Sequence, residues 1–138
     1  MNRRVLVLLA LTAVALLVPA VALASIKHGY YIEIKSQTYI QTNAAGTSIK
    51  SFNFPCMVNG TQNGGNNITK GIKVSSTGSF SYKGKSTLQS SSNSVISVAI
   101  AGKYTNGKLK GTIKYKTDGV GCADRSFSAK YYGTKVEG

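Results

Sequence analysis

The stretch Ser94-Val95-Ile96-Ser97-Val98-Ala99-Ile100-Ala101-Gly102-Lys103-Tyr104-Thr105-Asn106-Gly107-Lys108-Leu109-Lys110-Gly111-Thr112-Ile113-Lys114-Tyr115-Lys116-Thr117 decides the fold. At its centre is Asn106-Gly107. A two-residue hairpin turn asks both of its residues to accept positive φ, which Asn and Gly do most readily. With Thr105 set opposite Lys108, the register runs outward from the turn. Tyr104 meets Leu109, Gly102 meets Gly111, Ile100 meets Ile113 and Val98 meets Tyr115, all on one face. The other face pairs Lys103 with Lys110, Ala101 with Thr112, Ala99 with Lys114 and Ser97 with Lys116. Side chains alternate across a strand, so this clean separation of apolar from polar predicts an antiparallel ribbon with one buried face.

The same period recurs on either side. Phe52, Phe54 and Cys56 share a face, as do Ile72 and Val74, Phe80 and Tyr82, and Phe127, Ala129 and Tyr131. Near the start, Tyr30, Ile32 and Ile34 are expected to face one way and Tyr31, Glu33 and Lys35 the other, with Tyr31 and Tyr132 pointing to solvent. Helix formers are rare after Ser25, while Thr, Ser, Ile, Val, Tyr, Gly and Asn dominate, a composition that favours strands and turns. Polar stretches at 59–67, 86–93 and 117–125 read as loops. About eight short strands with frequent turn signals predict an all-β domain, a single antiparallel β-sandwich of jelly-roll type, with a small β-barrel as the alternative. Residues 25–138 form one domain, ending in a loose tail over 134–138.

At this point a family resemblance enters. Gly78-Ser79-Phe80-Ser81-Tyr82, Val98-Ala99-Ile100-Ala101-Gly102-Lys103, Leu109-Lys110-Gly111-Thr112-Ile113, and Cys122 followed by Phe127-Ser128-Ala129 resemble elements of small exported prokaryotic β-sandwich domains with one disulfide. Phe54-Pro55-Cys56 fits their early cysteine after an aromatic strand, and the likeness spans 48–131. The resemblance implies the sandwich fold and a Cys56–Cys122 bond. That family carries no assigned activity, so the resemblance implies nothing about function.

The N-terminus reads as an export signal. Met1-Asn2-Arg3-Arg4 is a short basic head, and an apolar run follows from Val5 to Val18 with only Thr12 interrupting. Pro19 and the small residues of Val21-Ala22-Leu23-Ala24 then precede Ser25, the pattern of a signal peptide cut after Ala24. An uncleaved anchor is the alternative, since about 20 apolar residues suffice to span a hydrocarbon core. Either way the domain is expected outside the cytoplasm, with no membrane span in the cleaved form.

Both cysteines, Cys56 and Cys122, fall in the exported part. In an oxidising compartment such a pair is most simply a disulfide. A two-cysteine metal site would need further ligands, and His28 is the one histidine in the chain. After Ala24 there are 14 lysines, one arginine (Arg125) and four acids, a net charge of +11. Acids this scarce leave most lysines unpaired and favour contact with anionic partners: polysaccharide, wall polymer, lipid head groups or nucleic acid.

Groups able to move protons are few. His28 is expected in a frayed start, Glu33 outward on its strand, and Glu137 in the tail. Asp118 and Asp124 flank Gly119-Val120-Gly121-Cys122-Ala123, where a pair of carboxylates suits glycoside hydrolysis or a calcium site. Asp118-Gly119 is equally a turn dipeptide, and Asp124 a cap or an ion-pair partner for Arg125. Turn chemistry is the preferred reading, so neither a cofactor nor a catalytic set is expected. Asn59-Gly60-Thr61 and Asn67-Ile68-Thr69 match the N-glycosylation acceptor.

The sharpest functional feature is the polar face of the hairpin. Lys103, Lys108, Lys110, Lys114 and Lys116 project from one side of one ribbon, and Lys103 opposite Lys110 sets like charges against each other. A polyanion lying across that face would relieve the repulsion. The plainer reading is that lysines on an edge ribbon block strand addition by other chains. The sequence therefore predicts a non-catalytic extracellular module that adheres to an anionic polymer. The alternative is a structural or protein-binding secreted protein (coat, inhibitor or self-assembling component) whose lysines serve solubility.

Overall fold

Asn106 and Gly107 adopt φ values of 51° and 73°, and the predicted hairpin forms around them. In the computed structural model, which describes residues 26–90, 94–116 and 121–136, its arms are β7 (Val95–Thr105) and β8 (Lys108–Lys116). Every pair of the predicted register is present, from Thr105–Lys108 at the turn to Ser97–Lys116 at the far end. Ile96, Val98, Ile100, Leu109 and Ile113 are buried, and Lys103, Lys110, Lys114 and Lys116 are exposed.

The remaining strands are β1 (Tyr30–Glu33), β2 (Thr38–Thr42), β3 (Ser48–Val58), β4 (Thr61–Ile68), β5 (Ile72–Lys73), β6 (Ser79–Thr87) and β9 (Arg125–Gly133). All pair antiparallel, in the order β4-β3-β2-β1-β9-β8-β7-β6, with β5 alongside β3. Two four-stranded meanders, β1–β4 and β6–β9, are thus joined where β1 meets β9. At the far ends β4 and β6 approach each other, so the sheet is nearly closed into a barrel. Described residues contain no helix, and therefore none long and apolar enough to cross a membrane.

The core lies inside this wrap. Phe52 packs on Phe127 with ring centroids 5.2 Å apart, and Phe54 lies 6.2 Å from Tyr115. Cys56 and Cys122 form the expected disulfide, with a Cα separation of 5.1 Å. Cys56 falls where the β3–β4 register shifts between Pro55 and Met57, and such a bulge re-aims a side chain. Nearby, the Ala123 N–H donates to the Met57 carbonyl at 2.8 Å and the Tyr115 hydroxyl to the Pro55 carbonyl at 3.0 Å. Burial pushes the Tyr115 phenol up to about 12. On the inner face, a Cβ at Gly102 would sit 2.4 Å from the Phe80 ring and one at Gly111 2.9 Å from the Phe127 ring. Glycine in both arms of the hairpin leaves these aromatics their space.

Four sequence expectations require correction. The 59–67 stretch is no loop: Asn59 and Gly60, with φ values of 50° and 79°, make a second hairpin turn, and Thr61–Ile68 is strand β4. Its polar side chains suit a strand with one neighbour and an outer face in water, where backbone bonds to β3 supply the pairing. Likewise β6 runs to Thr87, and Leu88 beyond it is fully buried, so the loop expected from Ser86 is shorter. The faces of β1 are reversed. Tyr31 is fully buried, set edge-on to Tyr104 and Tyr131 at 6.2 and 5.4 Å, with its hydroxyl donating to the Lys27 carbonyl. Burial raises its phenol above the usual range. Ile34 is 81% exposed in the β1–β2 turn. Tyr132 does point outward, as expected.

The start is tied down rather than frayed. Ile26 is buried and its N–H donates to Gly46, Lys27 stacks over the Tyr131 ring at 4.2 Å, and the Tyr131 hydroxyl donates to the His28 carbonyl. The export signal, its cut after Ala24, residues 91–93, Asp118 and Glu137 lie outside the described residues.

Candidate functional site

A β-strand sends alternate side chains to one face, so strand order determines which polar residues come together. Because β7 and β8 lie between β6 and β9, the hairpin lysines belong to a four-stranded outer face. Lys103 stands directly opposite Lys110, and Lys108 lies opposite Lys130 of β9. At the other end, Lys83 of β6 faces Ala99, which in turn faces Lys114; Lys85 faces Ser97, which faces Lys116. Two lysine clusters therefore flank a band of Ser81, Ala101, Thr112 and Ser126.

The upper cluster borders a depression of about 680 Å³. Ser97 and Ala99 form its floor, and Lys83, Lys85, Lys114 and Lys116 stand around it. Neighbouring strands are about 4.8 Å apart, so lysines flanking β7 are held about two strand widths from one another. Among the described residues one carboxylate, Asp124, borders this depression, and its Oδ1 accepts from the Tyr115 N–H at 2.9 Å. That bond continues the β8–β9 ladder one step past its last pair, Ile113–Arg125. Asp124 is thus a cap, as turn chemistry predicted.

All five predicted lysines share this face. The sequence reading missed Lys83, Lys85 and Lys130. A signal for the first two was available, since Tyr82-Lys83-Gly84-Lys85 alternates, but its face could not be joined to the hairpin without knowing that β6 pairs with β7. The interior position of β7 and β8 also removes the edge-blocking account of their lysines: neither strand has a free edge.

Glu33 and Arg125 are held in structural roles. Glu33 is half-buried, and its Oε2 accepts from the Ser36 hydroxyl and from the Ser128 N–H at 3.1 Å. It satisfies β9 just past the last β1 pairing. Arg125 donates from Nη2 to the Ser36 carbonyl at 2.8 Å, tying the β1–β2 turn to the start of β9. Asn59 and Asn67 are both exposed. Among the described residues no three or more His, Cys, Asp or Glu gather as metal ligands would.

Comparison with protein-family models, curated proteins and solved structures finds no match.

Proposed function

We propose that this chain is an exported, non-catalytic module that adheres to an anionic polymer through the outer face of β6–β9. The observation that carries the reading is the gathering of Lys83, Lys85, Lys103, Lys108, Lys110, Lys114, Lys116 and Lys130 on one sheet face, all but Lys83 and Lys85 on strands paired along both edges. Directly opposed like charges destabilise a sheet. A surface that retains Lys103 opposite Lys110 on interior strands suits a ligand of opposite sign. The small residues between the clusters leave a polymer chain room to approach the sheet.

Export is part of this proposal. Its supports are the basic, apolar and small-residue pattern of 1–24 and the Cys56–Cys122 disulfide, which is consistent with an oxidising compartment. Within the same reading, the two meanders are the opposed layers of a sandwich joined at β1–β9, in keeping with the family resemblance. Phe52 against Phe127 is their central contact.

The test is retention on heparin and on insoluble cell-envelope polymer across a salt gradient. Binding through phosphate- or carboxylate-like groups falls steeply with salt. Elution above the salt expected for net charge alone, lost in Lys103→Gln/Lys110→Gln/Lys114→Gln, supports the proposal. Elution unchanged by the triple substitution overturns it and directs attention to a protein partner.

A further inference from the structure

The sheet fails to close along one line. β4 touches the chain just beyond β6 at an isolated bridge between Gly65 and Gln89, whose backbone groups exchange bonds of 3.3 and 2.8 Å. The chain beyond β4 meets β6 again between Val74 and Phe80. Both bridges lie on one antiparallel register, which would set Asn67 opposite Thr87, Ile68 opposite Ser86 and Thr69 opposite Lys85. Between the bridges no ladder forms among the described residues. Instead the strands part around an opening of about 740 Å³, bordered by Asn67, Thr69 and Lys70 on one side and Tyr82, Lys85 and Ser86 on the other.

Two buried polar groups mark this line. Ser86 borders the opening, is 6% exposed, and its hydroxyl has no hydrogen-bond partner among the described residues. Asn66, 2% exposed on the strand across the opening, likewise leaves both ends of its amide without a partner. Buried polar groups are nearly always satisfied, so each such exception calls for an explanation. The opening also gathers hydroxyls, amides and two lysines, with no carboxylate among the described residues that line it.

We infer that this opening is a subsite for a carboxylated sugar unit of an acidic polysaccharide. The inference rests on the proposed adhesion, because Lys85 borders both the lysine-ringed depression and this opening; a polymer following the lysines around β6 reaches it. Sugar hydroxyls need side-chain amides and hydroxyls, which Asn67, Thr69, Ser86 and Thr87 offer, while Lys70 and Lys85 answer a carboxylate. Nucleic acid would ask for aromatic platforms on which bases stack. The single aromatic here, Tyr82, lies over Gly84 with its hydroxyl donating to the Lys85 carbonyl.

The experiment is a calorimetric titration of the folded protein with a galacturonic acid tetrasaccharide, its neutral galactose counterpart, and a single-stranded oligonucleotide of equal charge. The charged tetrasaccharide is expected to bind and the neutral one to fail. Lys70→Gln and Ser86→Ala should each weaken binding by about fivefold, the scale of one hydrogen bond. Ser86→Ala should melt no lower than the parent, since its hydroxyl is unpartnered within the fold. Lys70 is exposed, so its variant keeps the test decisive if Ser86→Ala folds poorly. Parental affinity in both variants overturns the subsite, and if the hairpin triple variant has lost binding in the same titration, adhesion through the lysine face stands without it. Loss in the opening variants with full binding by the triple variant overturns the lysine face instead. An oligonucleotide bound as tightly, and lost in the same opening variants, overturns the saccharide assignment.

Discussion

Two hairpins in this molecule turn on the same dipeptide and look nothing alike in sequence. Asn59-Gly60 links β3 to β4, and Asn106-Gly107 links β7 to β8, with φ pairs of 50° and 79° against 51° and 73°. The β7–β8 arms alternate apolar and polar residues without a break. In the first hairpin, β3 carries Phe52, Phe54 and Cys56, whereas β4 reads Thr-Gln-Asn-Gly-Gly-Asn-Asn-Ile. The turn is a local property, so one dipeptide yields one geometry in both places. The face pattern is a burial property. An interior ribbon must keep one side dry throughout, while a strand at the end of a sheet needs only a few inward residues and the backbone bonds of one neighbour.

The largest test of this comparison cuts the bond linking the first hairpin to the other wall. Cys56 is on β3, and Cys122 precedes β9 across the core. Closing a loop with a sequence separation of 66 restricts the unfolded chain by about 4 kcal/mol. Cys56→Ala/Cys122→Ala should lose roughly that much in urea unfolding. A midpoint equal to the parent's would mean that the polar hairpin docks without its staple.

A second test contrasts the arms themselves. Ile113 on β8 is fully buried, and Ile113→Ala should cost about 3 kcal/mol through lost burial and the cavity left behind. Gln62 on β4 is exposed, and Gln62→Ala should stay within about 0.5 kcal/mol. Comparable costs would show that β4 carries more than backbone pairing.

The smallest effects should be equal. A Cβ at Gly60 or Gly107 meets nothing within 4 Å, so alanine at either pays only for positive φ, about 1 kcal/mol. Thermal unfolding of the two single variants checks this. A clear difference would show that the turns are not equivalent and that strand pairing loads one of them.

The legibility of the fold follows the same division. The β7–β8 register was readable to its last pair because turn and alternation agreed. β4 was misread as a loop although its turn carries the same dipeptide, because the reading asked for an apolar face that a sheet end does not require. β1 was assigned the wrong face because Tyr30, Tyr31 and Ile32 are all apolar enough to be buried. Only packing against Tyr104 and Tyr131 distinguishes them. Of the lysine face, five members were visible within one hairpin, and Lys83, Lys85 and Lys130 came from strands whose neighbours the sequence does not name.

By itself, the sequence determined what depends on residues near one another along the chain: strands rather than helices, the Asn106-Gly107 hairpin and its polar side. With just two cysteines it also determined the disulfide partners. Tertiary structure decided what depends on which strands become neighbours. That includes the near-closure of the sheet, the enlargement of the lysine field, the burial of Tyr31, and the opening beside Ser86. The physical reason is that alternation along a strand orients side chains relative to their own backbone, whereas neighbours and burial arise only when distant strands share hydrogen bonds and a core.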